Sequence, residues 1–285
     1  MRYGSVCSGI EAATVAWHGL GWEPAFFSEI DAFPRAVLEH HYPDVPCHGD
    51  FTDIKDDEYG SIDLLVGGTP CQSFSIAGLR GGMDDDRGNL ALEFIRLAHR
   101  TLPQWLVWEN VPGVLSSNGG RDFGSFLGAL AEIGYGFAYR VLDAQFFGVP
   151  QRRRRVFVVG YLGDWRRAAA VLFERESLSG NPAPSREEGA EVAPTVTTGP
   201  PFSRTGQAAE VTAMIPVGKH RVRRMTVTEC ERLQGFPDSY TQIPWRGKEP
   251  ENCPDGPRYK ALGNSMAVPV MKWIGERIQA VENLQ

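Results

Sequence analysis

Residues 1–160 switch repeatedly between short β-like runs and segments with helical apolar spacing, and this alternation restricts the fold more than any other feature of the sequence. Tyr3–Val6, Ala25–Ser28, Ile62–Val66, Trp105–Trp108, Phe137–Val141 and Val156–Val159 read as strands. Glu11–Gly19, Ala32–His41, Leu90–Thr101 and Phe123–Ile133 read as helices; in the third, Leu90, Phe94, Leu97 and Ala98 recur at helical spacing. Strands that alternate with helices pair in parallel, because the helix supplies the crossover that a parallel pair needs. The expected fold class is therefore α/β, a doubly wound, mostly parallel sheet whose ligands bind at the carboxyl ends of the strands. Beyond it, residues 163–220 are rich in Pro, Gly, Ser, Thr and Arg and read as a loop-dominated subdomain or a linker. Regular structure resumes at Thr226-Val227-Thr228-Glu229, a capping-box pattern opening a helix that Gly235 stops, and the chain closes on a helix near Met266–Val281.

Composition narrows the class. The 285 residues are 42% hydrophobic and 22% charged, enough for a sizeable core, and no apolar run approaches the roughly 20 residues that span a bilayer. The N-terminus, MRYGSVCSG, lacks the apolar stretch of a secretory signal. Five cysteines without a C-x-x-C pair argue against a disulfide framework or a closed zinc site, and the six histidines show no metal or triad spacing. The expectation is a cytoplasmic protein with no metal and no membrane partner. Net charge is −6, yet arginines and lysines bunch at Arg152–Arg155, at Arg166 and Arg167, and from Lys219 to Arg224. Local basic patches are what nucleic acid meets, whatever the net charge. Solvated arginine-rich loops are the plainer explanation.

Several strand ends carry chemistry-bearing residues. Gly67-Gly68-Thr69-Pro70-Cys71 follows an apolar run, which suits either a tight turn with a small buried residue or a nucleophile on a stiffened backbone. Cys7-Ser8-Gly9-Ile10-Glu11 is a glycine turn between a strand and a helix, of the kind that seats a nucleotide-like cofactor, though it lacks G-x-G-x-x-G. Glu29 ends the second run, and Asp50 lies in a segment that reads as a loop; singly, either could be an ordinary turn residue. Glu109 and Asn110 follow the fourth run, a carboxylate that could be surface charge, a general acid or an anchor for a base edge. Gln151 to Arg155 leads into a strand, where alternation puts Arg153 and Arg155 on one face.

Taken in order, YGSVCSGIEAA, FSEIDAFPRAV, GDFT, GGTPCQSFSIAG, DRGNLALEFIRL, WENVPGV, GVPQRRRRVFVVG, RRMTVTECERLQGFPDSY and YKALGNSMAVPV resemble the DNA cytosine-5 methyltransferases, especially their compact phage and prophage members. The resemblance implies S-adenosylmethionine as methyl donor and double-stranded DNA as partner, with a cognate restriction endonuclease left open and a monomeric state expected. It implies that Cys71 attacks C6 of a flipped cytosine, that Glu109 binds the N3 and N4 edge, and that Arg155 and Arg153 face the base's O2, with Asn110 as a brace. Cofactor contacts are implied for Cys7, Gly9, Ile10, Glu29, Asp50, Pro70 and Asn264, Glu29 taking the ribose hydroxyls and Asp50 the adenine amino group. Contacts to DNA fall to Gln72, Ser73, Ser75, Arg152, Arg154, Thr195 and Val196. Ser73–Gly88 resembles the family's loop that closes over DNA.

The implied division is a catalytic and cofactor-binding domain of residues 1–162 plus 258–285, with 163–257 as a small target-recognition region. In it, Ala193 to Thr198 resembles the threonine-plus-aliphatic recognition signature. Asn264 in the cofactor site further implies that the last helix packs back beside the first strand. Three departures stand out. Cys7 and Glu11 occupy the Phe and second Gly of the usual F-x-G-x-G, Thr69 precedes Pro-Cys, and the recognition region is short. Methylation of tRNA cytosine by the same chemistry, and a non-catalytic DNA-binding relic, are the alternatives.

Overall fold

A computed structural model describes residues 1–55, 58–70, 90–173, 214–217 and 221–284. Seven strands form the sheet: β1 (Arg2–Val6), β2 (Glu23–Ser28), β3 (Cys47–His48), β4 (Leu64–Gly67), β5 (Trp105–Asn110), β6 (Tyr135–Asp143) and β7 (Arg154–Leu162). Their order is β3-β2-β1-β4-β5-β7-β6. The first five are mutually parallel, and β7 runs antiparallel to both β5 and β6. All residues of β4 and β5 are buried, as strands covered on both faces must be. The mostly parallel, doubly wound sheet expected from the alternation is present.

Helices α1 (Ala12–Trp17), α2 (Ala32–His41), α3 (Leu90–Thr101), α4 (Arg121–Glu132), α5 (Trp165–Leu172), α6 (Val227–Gln234), α7 (Asp255–Asn264) and α8 (Val268–Glu282) complete the described frame, with a separate antiparallel pair, β8 (Met214–Val217) and β9 (Arg221–Arg224). Two apolar clusters result. One joins Phe94, Leu97, Phe126 and Leu130 of α3 and α4 to Leu65, Leu106 and Trp108. The other gathers Trp17, Val171, Leu233, Met271 and Ile274 around Tyr3, Leu64 and Val107. The last helix does return to the first strand's layer: Trp17 Nε1 donates to Met271 O at 2.8 Å, and Trp105 Nε1 donates to Glu282 Oε1 at 3.0 Å. The contact demands a glycine, since a Cβ at Gly275 would lie 2.4 Å from the Trp17 ring.

One expectation needs correction. Residues 165–172 form a helix, not a loop, capped by Asp164, whose carboxylate accepts from Arg166 N at 2.9 Å. The helix is only eight residues long and buries Ala168, Val171 and Leu172. Met225, Val227, Cys230, Leu233, Phe236, Tyr240, Ile243 and Cys253 are buried in the same apolar cluster as Tyr3 and Ile10. The capping box forms as expected: Glu229 N donates to Thr226 Oγ1 at 3.2 Å, Thr226 N donates to Glu229 Oε2 at 2.7 Å, and Gly235 ends α6 at φ 83°.

Candidate active site and cofactor cleft

The strand order reverses between β1 and β4, and a cleft of about 620 Å³ opens there at their carboxyl ends. Residues singled out in the sequence line it, among them Cys7, Gly9, Glu29, Asp50, Pro70, Glu109, Asn110, Arg153, Arg155 and Asn264. Ile10 does not; its side chain is fully buried in the core, and its carbonyl accepts from Tyr240 Oη at 3.0 Å. Arg152 and Arg154 are exposed and point away from the inward pair, as alternation along an extended segment requires. Cys71, Gln72, Ser73, Ser75, Thr195 and Val196 lie outside the described residues, as does the segment Ser73–Gly88.

On one side of the cleft, the turn after β1 carries Cys7 at φ 50° and Gly9 at φ 57°. Gly9 N donates to Glu29 Oε2 at 2.8 Å and Asp31 N donates to Glu29 Oε1 at 2.8 Å, which fixes the carboxylate at the end of β2. An ionised carboxylate has about four acceptor sites, so each oxygen can still take a ligand hydroxyl. Asp50 caps the short turn Phe51–Asp53, accepting from Thr52 N at 3.0 Å. Burial, with Glu29 and Asp50 nearby, pushes the Cys7 thiol up to about 12, so it stays a neutral lining group and not a second nucleophile.

On the other side, the ends of β4, β5 and β7 meet. Glu109 is buried, and its Oε1 lies 3.1 Å from Arg155 Nε. Burial raises the Glu109 pKa, while Arg155 and Arg153 pull it back. Arg155 faces the Glu109 carboxylate. Arg153 shares its face and lines the cleft, and its Nη2 donates to Gly263 O at 3.1 Å and Ser265 O at 2.6 Å, which ties the end of α7 to the sheet. Asn110 braces the site, its Nδ2 donating to Thr69 O at 2.9 Å and its Oδ1 accepting from Val111 N at 2.8 Å. Trp108 Nε1 donates to Thr69 Oγ1 at 3.0 Å, so the residue before Pro70 is held from two positions of β5. Gly68 allows this closeness: a Cβ there would stand 3.1 Å from Glu109 Oε2.

Two apolar lining residues went unnoticed as site residues in the sequence. Ile30 is 73% exposed at the mouth and Phe51 is buried in the wall, while Gly68 of the glycine pair sits under Glu109. Ile30 and Phe51 each directly follow a polar residue that was noticed, and that adjacency was the available signal.

The family model for C-5 cytosine-specific DNA methylases matches residues 1–183 and 175–280. The chain belongs to this family. Among relatives of this methylase, one named "DNA N-6-adenine-methyltransferase" from Escherichia phage P1 is 33% identical over 97% of the chain and 61% of its own length. "Type II methyltransferase M2.BsuMI" from Bacillus subtilis is 32% identical over 98% of the chain and 75% of its own length. The chain thus spans about three fifths of the first relative and three quarters of the second. The crystal structure of S. pombe Dnmt2 methyltransferase matches with a TM-score of 0.71 at 18% identity, covering 100% of this chain and 99% of its own, a likeness of fold.

The cofactor that this methylase family and fold imply is S-adenosylmethionine. The cleft's donor set fits it: two carboxylates for hydroxyl and amino donors, a glycine turn for close approach, and the apolar side chains Ile30 and Phe51 for a flat ring. Among the described residues, no cluster could hold a metal ion and no helix is long and apolar enough to cross a membrane.

Proposed function

We propose that the protein methylates C5 of cytosine in double-stranded DNA, through a covalent bond between Cys71 and C6 of a base flipped out of the duplex. The observation that carries this reading is the buried Glu109–Arg155 pair, 3.1 Å apart, in the same cleft as Glu29, Asp50 and the residue that precedes Cys71. Flipping costs a few kcal/mol of stacking and pairing, and a stacked base offers neither C5 nor C6. Addition of the Cys71 thiolate to C6 forms the S–C6 bond and turns C5 into an enamine carbon. As negative charge builds on the ring, Glu109 shares a proton with N3, a role that its raised pKa favours. Arg155 holds the Glu109 carboxyl in place and faces O2. Loss of the C5 proton after methylation breaks the S–C6 bond and releases the thiolate.

S-adenosylmethionine supplies an electrophilic methyl group when bound. Glu29 would hold its ribose hydroxyls and Asp50 its adenine amino group, with Cys7, Gly9, Pro70 and Asn264 completing the walls. Arg152 and Arg154, both exposed, would meet phosphates. Gln72, Ser73 and Ser75 would approach the DNA beside the nucleophile, and Thr195 and Val196 would read the target. The domain division consistent with the shared core is a catalytic unit of 1–173 plus 225–285, with the recognition segment between. The enzyme is taken to act as a cytoplasmic monomer, alone or beside a cognate restriction endonuclease.

The adenine activity in the phage P1 relative's name concerns a protein of which this chain matches 61%, so it need not reside in the matched part. Labelled methyl transfer to duplex DNA, followed by nucleoside chromatography, tests the reading. It predicts 5-methylcytosine, and duplexes carrying 5-fluorocytosine should trap an adduct at Cys71. Label in N6-methyladenine, or transfer to tRNA alone, would overturn it.

A further inference from the structure

Glu11 closes the cofactor turn at φ 60° and ψ 62°, in the left-handed region that glycine enters without cost. Its own side chain holds it there. As the N-cap of α1, its carboxylate accepts from Thr14 N at 3.0 Å, from Thr14 Oγ1 at 2.6 Å and from Ser5 Oγ. Thr14 Oγ1 also lies 2.7 Å from Tyr3 Oη, which ties the group to β1. The side chain is 1% exposed. Burial pushes its pKa up and the Ser5 and Thr14 bonds pull it back, so these donors offset the desolvation of the carboxyl group.

The backbone extends the unit toward the cleft. Glu11 N donates to Ser8 O at 3.0 Å, and Ser8 N donates to Ser28 O at 3.0 Å. Gly9, between them, donates to Glu29. A second observation places Glu11 beside the cleft. A polar cavity of about 40 Å³ is lined by Glu11 together with Gly9, Gly68, Glu109 and Asn264, and the last four also line the large cleft.

We infer that Glu11 is a positioning residue for the cofactor: its hydrogen bonds to Ser5 and Thr14 fix the Cys7–Glu11 turn in the shape that binds S-adenosylmethionine. The inference rests on the cleft being that cofactor's site. The operative property is hydrogen bonding and not charge. Glutamine keeps one carbonyl oxygen for the two Thr14 donors, and the Ser5 hydroxyl can rotate to accept from its amide.

Full-length Glu11→Ala, Glu11→Gly and Glu11→Gln proteins titrated with S-adenosylmethionine by calorimetry test this, with thermal melts alongside. Alanine and glycine should raise Kd by roughly tenfold or more, the scale of one lost hydrogen bond to a charged group, and KM for the cofactor should rise more than kcat falls. Glycine suits the left-handed backbone, so its weakening cannot be assigned to strain. Glutamine should stay within about threefold of the parent. Unchanged binding in the alanine or glycine protein overturns the inference, and so does a glutamine protein as weak as alanine. If the parent itself binds no S-adenosylmethionine, the cofactor assignment fails first.

Discussion

Replacing Arg153 separates a clamp from a catalytic group. The side chain is 3% exposed, and its Nη2 donates to Gly263 O at 3.1 Å and Ser265 O at 2.6 Å, on the segment joining α7 to α8. Arg153→Met keeps much of the aliphatic volume and deletes both bonds. Each charge-assisted bond contributes about 1.5–3 kcal/mol, and a buried carbonyl left without a donor costs a further ~1–3 kcal/mol. Ser265 O keeps a longer contact from Gln234 Nε2 at 3.4 Å, which softens the loss at that carbonyl. The two bonds alone sum to about 3–6 kcal/mol, a large fraction of the 5–15 kcal/mol that holds most domains together. The midpoint of thermal unfolding should fall by on the order of 10 °C. Because Gly263 and Asn264 line the cleft, cofactor Kd should rise as the segment loosens, while kcat at saturating cofactor changes least. Urea unfolding, calorimetric titration and steady-state transfer measure the three quantities. A protein with the parental melting point and abolished transfer would refute the clamp and restore Arg153 to the base.

Cys71→Ala should abolish transfer and adduct formation with 5-fluorocytosine duplexes while leaving cofactor Kd near the parental value. Glu109 should give kcat a limb that falls with rising pH: burial raises its pKa, so the protonated form persists above the ordinary carboxyl range and is lost as pH passes the raised value. Glu109→Gln cannot titrate, so a pH–rate profile should show slower transfer without that limb. Gly68→Ala introduces a Cβ 3.0 Å from Met266 Cε and 3.1 Å from Glu109 Oε2, which must move by a few tenths of an ångström. Transfer should drop about tenfold with a stability loss near 1 kcal/mol, seen by comparing kcat with a denaturation midpoint.

Local pattern was enough to find the elements whose pattern is strong. Ala32–His41 and Leu90–Thr101 appear at their expected bounds because each has one clean apolar face. α5 escaped because it is only eight residues long and opens a stretch rich in Pro, Gly, Ser, Thr and Arg that reads as loop. The placement of antiparallel β7 between β5 and β6 escaped for a different reason: which neighbour a strand pairs with is decided across the sheet. Gly136 illustrates the point, since a Cβ there would lie 2.2 Å from Trp165 N on α5, a long-range contact with no local signature. In the site, Glu29 and Glu109 could be found because a carboxylate at a strand end is conspicuous, whereas Asn264 was implied only by the family resemblance. The role of Arg153 could not, because its acceptors are backbone carbonyls some 110 residues away, and any residue can supply a carbonyl.

The departures from the family pattern share one physical character: the described substitutes are matched by local partners. Glu11 stands in a glycine conformation and is held by Ser5 and Thr14. Thr69 turns its hydroxyl toward Trp108, so the residue ahead of Pro-Cys is fixed through its side chain as well as its carbonyl. Cys7, beside two carboxylates and buried, has its thiol pKa pushed up to about 12. A buried polar group without partners costs ~1–3 kcal/mol, so each of these residues needs partners in place. Ser5, Thr14 and Trp108 are those partners, and none of them lines the cleft directly. The residues that keep this site in shape therefore extend one layer beyond those that would touch the ligand, and substitutions in that outer layer should couple strongly to Glu11 and Thr69.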